Sequence, residues 1–315
     1  MKSRVLDAIA RHKWRYAAFV AGFLLLVEPF AYLIKLVYYW TGNPASASLH
    51  KACFRMPIDW LFSGEFGRFS GRPFVVLFTL GVIGSAFFLG PVFCGWLCPV
   101  GASSECLSRL CPRKGQIDLS RKISPASLRY GFLTAFALLA LATALPAITW
   151  KPRSEAPAAG SPPAAARPVR NLADSVGVGG VCCRYCPSSV FERLVSGVYD
   201  PSSLKYWHSG AIMTLGGWLV FGGIFWKGGR GWCLYGCPLG AVANVFHWVG
   251  AKVGLSRKVV HNAAKCNGCR ECEKACPAWA ITGSGKDVDI SRHTCNVCLE
   301  CTKVCPSKAL TYALK

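Results

Sequence analysis

Eight cysteines near the end of the chain occur in two runs with the same spacing. Each run reads C-x2-C-x2-C-x3-C-P, the first beginning at Cys266 and the second at Cys295. Thiolates at two-residue intervals in a tight loop can bind three corners of an iron-sulfur cubane, and in two-cluster proteins the fourth cysteine of each run binds the other cluster. The runs therefore predict two 4Fe-4S clusters, one bound by Cys266, Cys269, Cys272 and Cys305, the other by Cys295, Cys298, Cys301 and Cys276.

A second repeat places two further cysteine pairs earlier in the chain. Cys94 and Cys98 belong to one C-x3-C-P-x-G-A motif, Cys233 and Cys237 belong to another, and each motif directly follows an apolar stretch. Because residues four apart are neighbours on a helix, each pair is expected to present both sulfurs on one face. The four cysteines are then ligands of a third cluster or redox-active pairs. A zinc site, or a structural helix start set by the proline, stays open.

Four other cysteines have less distinctive spacing. They are Cys53, Cys182, Cys183 and Cys186. On an oxidising face of a membrane they would form disulfides, for example between Cys53 and one of the later three. The vicinal Cys182-Cys183 pair also leaves metal binding, redox chemistry or a free thiol open.

The composition is typical of a membrane protein. Hydrophobic residues make up 52% of the 315 residues and charged residues 16%, whereas charged residues make up about 25% of ordinary soluble proteins. Four apolar stretches approach the roughly 20 residues that cross a bilayer, and they cover residues 16–39, 74–93, 130–148 and 206–226.

These stretches predict the fold class and the domains. We expect a mainly α integral membrane protein with four transmembrane helices in two repeated hairpins over residues 1–254. An α+β two-cluster ferredoxin-like domain should follow over residues 255–315. Residues 151–170 are rich in Ala and Pro and are expected to form a disordered outer linker.

The net charge of +21 does not indicate nucleic-acid binding, because the basic residues cluster beside the apolar stretches rather than along an aromatic groove. By the positive-inside rule they predict a cytoplasmic face. They include Arg15, Arg109, Arg121, Arg129, Lys227, Arg230 and Lys252. Both termini and the ferredoxin domain are therefore expected on the cytoplasmic side of a bacterial inner membrane.

Glu28 is the candidate catalytic residue. It lies near the centre of the first apolar stretch, where an ionisable side chain is costly and is a functional candidate by default. One interpretation is a proton acceptor for quinol, whose oxidation releases two protons with two electrons. The other is structural: Pro29 kinks the helix and Glu28 pairs with Lys35 or another residue.

The ordered set of four cysteine motifs resembles NapH-type membrane ferredoxins, the quinol dehydrogenase membrane components of periplasmic nitrate reductase systems. NosR-like, MauN-type and CcoG-like proteins share the same superfamily. The resemblance implies quinol oxidation at the membrane and delivery of electrons through iron-sulfur centres to a protein partner.

The predicted function is thus membrane-bound iron-sulfur electron transfer from quinol toward a periplasmic reductase system. The expected partners are membrane lipid, quinol and another iron-sulfur or cytochrome-type redox protein, with no nucleic acid. One alternative is an assembly factor that reduces a metal ion or cysteines of a client metalloenzyme. A redox sensor is the other alternative.

Overall fold

Helices make up most of the part of the chain that the computed structural model describes. That part comprises residues 12–27, 30–40, 67, 73–112, 115–119, 123–149, 187, 190–191, 194–195 and 213–314. The α-helices before the ferredoxin domain are α1 (Lys13–Leu26), α2 (Tyr32–Trp40), α3 (Pro73–Leu89), α4 (Pro99–Leu110), α5 (Pro125–Thr149), α6 (Gly231–Tyr235) and α7 (Pro238–Lys252). Two π-helical segments are π1 (Phe93–Leu97) and π2 (Leu215–Ile224).

Prolines define where four of these helices begin. The first residues of α3, α4, α5 and α7 are Pro73, Pro99, Pro125 and Pro238. Proline suits the first helical position because its fixed φ is already helical and the amide proton it lacks would have no partner there. The sequence thus sets these helix starts locally.

The C-terminal region is a small α+β unit with internal repetition. Its elements are β1 (Arg257–His261), a 3-10 turn (Ala263–Lys265), α8 (Glu271–Ala275), β2 (Ile281–Ser284), β3 (Asp287–Ile290), α9 (Glu300–Val304) and β4 (Leu310–Leu314). Strand β1 pairs antiparallel with β4, with Val259 opposite Tyr312. Strands β2 and β3 form a separate antiparallel hairpin, with Ile281 opposite Ile290.

The ferredoxin unit packs directly on the helical region. Its core contains Trp279, Ile281 and Leu310, and Leu234 of α6 belongs to the same buried cluster. Trp279 also stacks on Trp226 with ring centroids 5.2 Å apart, and its indole Nε1 donates to the carbonyl of Lys227 at 3.0 Å. The two predicted domains therefore share one apolar core at this junction.

The prediction of four transmembrane helices is wrong. Within the described ranges, no helix combines enough length with enough apolar character to cross a membrane. Residues 16–39 are divided between α1 with 14 residues and α2 with 9 residues, and Ala31 between them has a left-handed φ of 43°. Helix α3 has 17 residues and π2 has 10, whereas a span needs about 20. The structure consequently gives no topology.

Several predicted features lie outside the described residues. They are Glu28, Cys53, Cys182, Cys183, Cys186 and the linker 151–170. Their predicted roles stay predictions, as do the domain boundaries.

Close backbone packing at Gly95 generates a prediction about the junction. A Cβ atom at Gly95 would collide with the backbone carbonyl of Asn296, whereas a Cβ atom at Gly81 in α3 would meet nothing within 4 Å. We expect Gly95→Ala to destabilise the protein by about 1–3 kcal/mol through overpacking. The matched control, Gly81→Ala, should be neutral or stabilise by roughly 0.5–1 kcal/mol because alanine favours helix.

Thermal unfolding midpoints of the anaerobically purified variants measure this difference. Equal midpoints for the two variants would show that the contact between π1 and the ferredoxin unit does not constrain the fold.

Candidate metal centres

Four cysteines that precede proline share one backbone conformation. Cys98, Cys237, Cys276 and Cys305 each cap the end or start of a helix with ψ of 113°, 109°, 112° and 109°, respectively. The proline ring excludes the preceding residue from the helical region, so these cysteines are extended by local sterics. Each of these cysteines therefore lies just outside a helix, in extended backbone.

One group of four cysteines surrounds a cavity at the buried side of the ferredoxin unit. We call Cys276, Cys295, Cys298 and Cys301 the inner group. Together with apolar residues such as Ile281 they line about 320 Å³ of space between atoms, part of it open to solvent. Burial raises the pKa of Cys276 and of Cys295 to about 12, and the charge of Cys298 contributes to both. Four thiols around one space are the donor set that a 4Fe-4S cluster takes.

The other group lies nearer the surface. We call Cys266, Cys269, Cys272 and Cys305 the outer group, and they line a second space of about 330 Å³. Cys269 is exposed, whereas Cys276, Cys298 and Cys301 of the inner group are buried. The structure thus brings together both predicted ligand sets, each including the crossed fourth cysteine. Their assignment as ligands stays a prediction.

The two halves of the ferredoxin unit repeat the same local geometry. Arg270 and Leu299, which follow the second cysteine of each run, are left-handed with φ of 59° and 60°. The backbone amides of Ala280 and Ala309 donate to the sulfurs of Cys276 and Cys305, both at 3.3 Å. Hydrogen bonds to ligand sulfurs are one determinant of cluster reduction potential.

The earlier C-x3-C-P motifs differ from the predicted geometry. Cys94 lies in π1 and Cys98 caps α4, while Cys233 lies in α6 and Cys237 caps α7. Neither pair lies on one continuous helix, because the proline ends the preceding element. The sulfurs of each pair are brought together by a turn rather than by helical periodicity.

Electrostatic interactions show that these four cysteines lie close to one another. We call Cys94, Cys98, Cys233 and Cys237 the paired-motif group. Burial, followed by the charges of Cys98 and Cys233, raises the pKa of Cys94 to about 12. Burial, followed by the charge of Cys233, raises the pKa of Cys98 to about 11. The pKa of Cys237 is also raised, first by burial and then by Cys233, Cys94 and Cys98. Thiols with such pKa values must release protons before they bind metal.

The donor set of the paired-motif group fits a third cluster, since four cysteines are available and the amide of Gly240 donates to the Cys237 sulfur at 3.4 Å. A cubane distributes its four thiolates over four irons. Over the described ranges, no three His, Cys, Asp or Glu side chains are grouped so that they could hold a single metal ion.

A buried ion cluster beside the paired-motif group was not predicted from the sequence. Glu105 is 1% exposed and accepts from Arg15 Nη2 at 2.6 Å, Arg230 Nη2 at 2.7 Å and Arg109 Nη2 at 2.9 Å. Burial alone would raise the pKa of Glu105, but the three guanidinium groups outweigh burial and hold it well below its usual range. Arg15 and Arg109 also contact Glu300 of α9.

Three buried arginines are among the basic residues that the positive-inside rule assigns to a cytoplasmic face. Arg15 and Arg230 are 0% and 1% exposed, and Arg129 is 4% exposed. Their burial could not be read from charge and position. The only local sign was Glu105, an acidic residue seven positions after Cys98 in a chain with few acids.

Buried arginines also hold the backbone of both paired motifs. Arg230 Nη1 donates to the carbonyl of Cys94 at 2.7 Å, and Arg129 Nη2 donates to the carbonyl of Cys233. Arg129 Nη1 donates in addition to the carbonyl of His293 at 2.8 Å. The motifs are thereby attached both to each other and to the ferredoxin unit.

The crossed ligand sets generate a prediction that spectroscopy can resolve. Cys276→Ser and Cys298→Ser should remove the same EPR signal, and Cys305→Ser and Cys269→Ser should remove the other, because each pair lines one space. Each variant should lose about four irons per chain. If Cys276→Ser instead removes the signal that Cys269→Ser removes, the clusters are bound by uncrossed runs.

Comparison with known proteins finds 4Fe-4S domain families over the cysteine motifs. A 4Fe-4S binding domain family matches residues 72–117 and 211–256, so each match contains one paired motif. A 4Fe-4S dicluster domain family matches residues 265–310, which contain the inner and outer groups. No solved structure matches the chain significantly.

Among curated proteins, the chain is similar to the ferredoxin-type protein NapH of Haemophilus influenzae. The two are 27% identical over 209 residues, which cover 66% of this chain and 52% of the relative. The chain therefore matches about half the length of that relative. The matched domains thus indicate an iron-sulfur protein, and its similarity to the ferredoxin-type protein NapH agrees with the resemblance that the cysteine motifs predicted.

Proposed function

We propose that this protein accepts electrons from quinol at the paired-motif group and passes them through the inner group to the outer group and then to a redox partner. The observation that carries the proposal is the packing of three cysteine groups in one continuous row. Electron tunnelling falls steeply with distance, so centres that exchange electrons must be neighbours.

Direct contacts join the paired-motif group to the inner group. Trp96, between Cys94 and Cys98, donates from Nε1 to the carbonyl of Val297 at 2.9 Å. Asn244 of α7 donates from Nδ2 to the carbonyl of Cys295 at 3.0 Å. These contacts attach both C-x3-C-P elements to the loop that carries the inner cysteines.

The inner group in turn adjoins the outer group. The charge of Cys272 contributes to the raised pKa of Cys301, after burial and the charges of the other inner cysteines. Cys272, Cys295 and Cys305 also pack against the core that contains Cys276 and Cys301. The outer group has the more exposed cysteines, so it is the end of the row that a partner can reach.

The bound clusters would supply the one-electron redox chemistry. The chain's own residues hold the three groups in order, bury three of the four inner cysteines and donate amide hydrogen bonds to the sulfurs of Cys237, Cys276 and Cys305. Each quinol gives two electrons and two protons, so a proton acceptor is needed near the paired-motif group. Glu28 is our proposed acceptor.

The proposal includes association with the bacterial inner membrane, since quinol is lipid-soluble. Exposed apolar side chains on the helices before the paired motifs support it. Trp14, Tyr39, Trp40, Leu80 and Phe221 are each more than half exposed. The proposed partner at the outer group is another iron-sulfur or cytochrome-type redox protein of a periplasmic reductase system.

One sequence feature favours a second function. The spacing of Cys182, Cys183 and Cys186 suits metal binding or disulfide chemistry. In an assembly factor, the same row of centres would deliver electrons to a metal ion or to cysteines of a client metalloenzyme.

Iron analysis and EPR test the quinol route. Anaerobically purified protein should contain about twelve irons and twelve acid-labile sulfides per chain if all three groups bind clusters. A reduced quinol analogue should produce the EPR signals of reduced clusters, and the electron count should not exceed two per quinol consumed.

Two cysteine variants test the order in which electrons pass along the three groups. In Cys98→Ser, quinol should no longer reduce the inner and outer centres, although dithionite still should. In the matched variant Cys269→Ser, quinol should still reduce the remaining centres, because the outer group comes last. Full cluster loading with no response to quinol would overturn the quinol route and favour the assembly function.

A further inference from the structure

We propose that the buried ion cluster of Arg15, Glu105 and Arg230 sets the reduction potentials of the two centres beside it. Arg230 acts on the paired-motif group, Arg15 acts on the inner group, and Glu105 opposes both. The inference rests on the proposed function only in that these cysteine groups bind redox clusters. It does not depend on quinol being the donor.

Arg230 lies against the paired-motif group. Its Nη1 donates to the carbonyl of Cys94 at 2.7 Å, while Nε and Nη2 both contact Glu105 Oε2, at 3.0 and 2.7 Å. A Cβ atom on Gly101 would collide with Arg230 Nη1 and would lie 3.5 Å from the Cys233 sulfur. The guanidinium is therefore adjacent to cysteines of both C-x3-C-P motifs.

Arg15 occupies the corresponding position toward the inner group. Its Nε donates to the carbonyl of Gly95 at 3.0 Å, and its Nη1 donates to Glu300 Oε1 at 2.8 Å. Glu300 lies between Cys298 and Cys301 in the sequence. Burial raises the pKa of Cys298, and the charge of Arg15 partly opposes that rise. Arg15 thus acts between the π1 segment and the inner cysteines.

The ion cluster, counted together with the adjoining Arg109 and Glu300, has more positive than negative charge. Three guanidinium groups, from Arg15, Arg109 and Arg230, surround the two carboxylates of Glu105 and Glu300. Counted without His12, which contacts Glu300 at 2.9 Å, these five groups have one positive charge in excess. Such a buried cluster is weak evidence of a stabilising role, because removing charges from water offsets much of their attraction.

The excess charge has a direct consequence for redox chemistry. One-electron reduction adds one negative charge to a cluster and makes or breaks no bond in the protein. A guanidinium keeps its proton in both states, so it favours the reduced state and a carboxylate disfavours it. Net charge and solvent exposure are among the properties that set cluster potentials. Because these side chains are buried, salt screens their interaction with a cluster much less than at the surface.

Substitutions of opposite charge should shift the potential in opposite directions. Arg230→Gln should lower the equilibrium constant for reduction of the paired-motif centre on the order of tenfold, from a charge interaction at an effective dielectric constant of about 20. A tenfold change is about 59 mV downward for a one-electron couple. Glu105→Gln should shift the same centre upward by a similar factor. A purely structural role would not reverse sign between the two variants.

The matched control is Lys227→Gln, three residues from Arg230. It removes the same charge, but Lys227 and its partner Asp118 have side chains that are 22% and 43% exposed. Solvent screens such a charge, so the equilibrium constant should change less than twofold. Arg109 is 23% exposed, about as exposed as Lys227, but its partners Glu105 and Glu300 are buried. Arg109→Gln should therefore give an intermediate downward shift.

The measurement is a dithionite titration with redox mediators, followed by EPR, with iron content determined for each variant. If Arg230→Gln does not assemble, Arg109→Gln and Glu105→Gln still test the sign, and Arg230→Lys should keep a potential near that of the unmodified protein. Shifts in the same direction, or shifts no larger than that of Lys227→Gln, would overturn the proposal.

The two proposals fail in different ways. A protein whose potentials shift as expected but whose centres ignore quinol would overturn only the quinol route. An unmodified protein with about eight irons and only the two ferredoxin signals would overturn the action of Arg230. Arg15→Gln would then decide the remaining part, with a downward shift of the inner centre expected.

Discussion

The junction between the helical region and the ferredoxin unit depends on the carboxylate of Glu105. Glu105 is 1% exposed and is held by arginines that come from α1, from α4 itself and from the residue before α6. A buried carboxylate without partners is strongly unfavourable, so these three segments must meet at one place. Because Arg15 also contacts Glu300 in the ferredoxin unit, the same interaction attaches the C-terminal unit to the helices. Buried ion clusters of this kind often add little net stability, and this one lies between the paired-motif group and the ferredoxin unit.

Near this junction, local sterics and tertiary packing determine different features of the cysteine groups. Proline places Cys98, Cys237, Cys276 and Cys305 in the same extended conformation by sterics alone. Tertiary packing then decides which thiols become neighbours. The inner and outer groups consequently have the same local geometry but different exposure, with Cys269 exposed and Cys301 buried. If both groups bind clusters, as the sequence predicts, these unequal surroundings are a physical basis for different reduction potentials in one domain.

The error in the predicted fold class has a related cause. Hydropathy counts apolar residues over a window and does not detect where a helix is interrupted. Residues 16–39 are apolar, yet Val27 is extended and Ala31 is left-handed, so they contain two short helices. The positive-inside rule likewise counts basic residues near an apolar stretch and does not detect which of them are buried. Arg15 and Arg230, which the positive-inside rule assigns to a membrane face, are buried partners of Glu105.

The sequence by itself determined the cysteine spacing, the internal repeats and the helix starts, because spacing and proline sterics act over a few residues. It predicted which cysteines belong together, including the crossed Cys276 and Cys305, and the similarity to NapH-type ferredoxins. Only the tertiary structure decided that the two C-x3-C-P motifs meet, that they adjoin the inner group, and that arginines surround Glu105. These features join residues as far apart as Arg15 and Glu300. Contacts at that separation depend on the packing of whole elements, which no local pattern encodes.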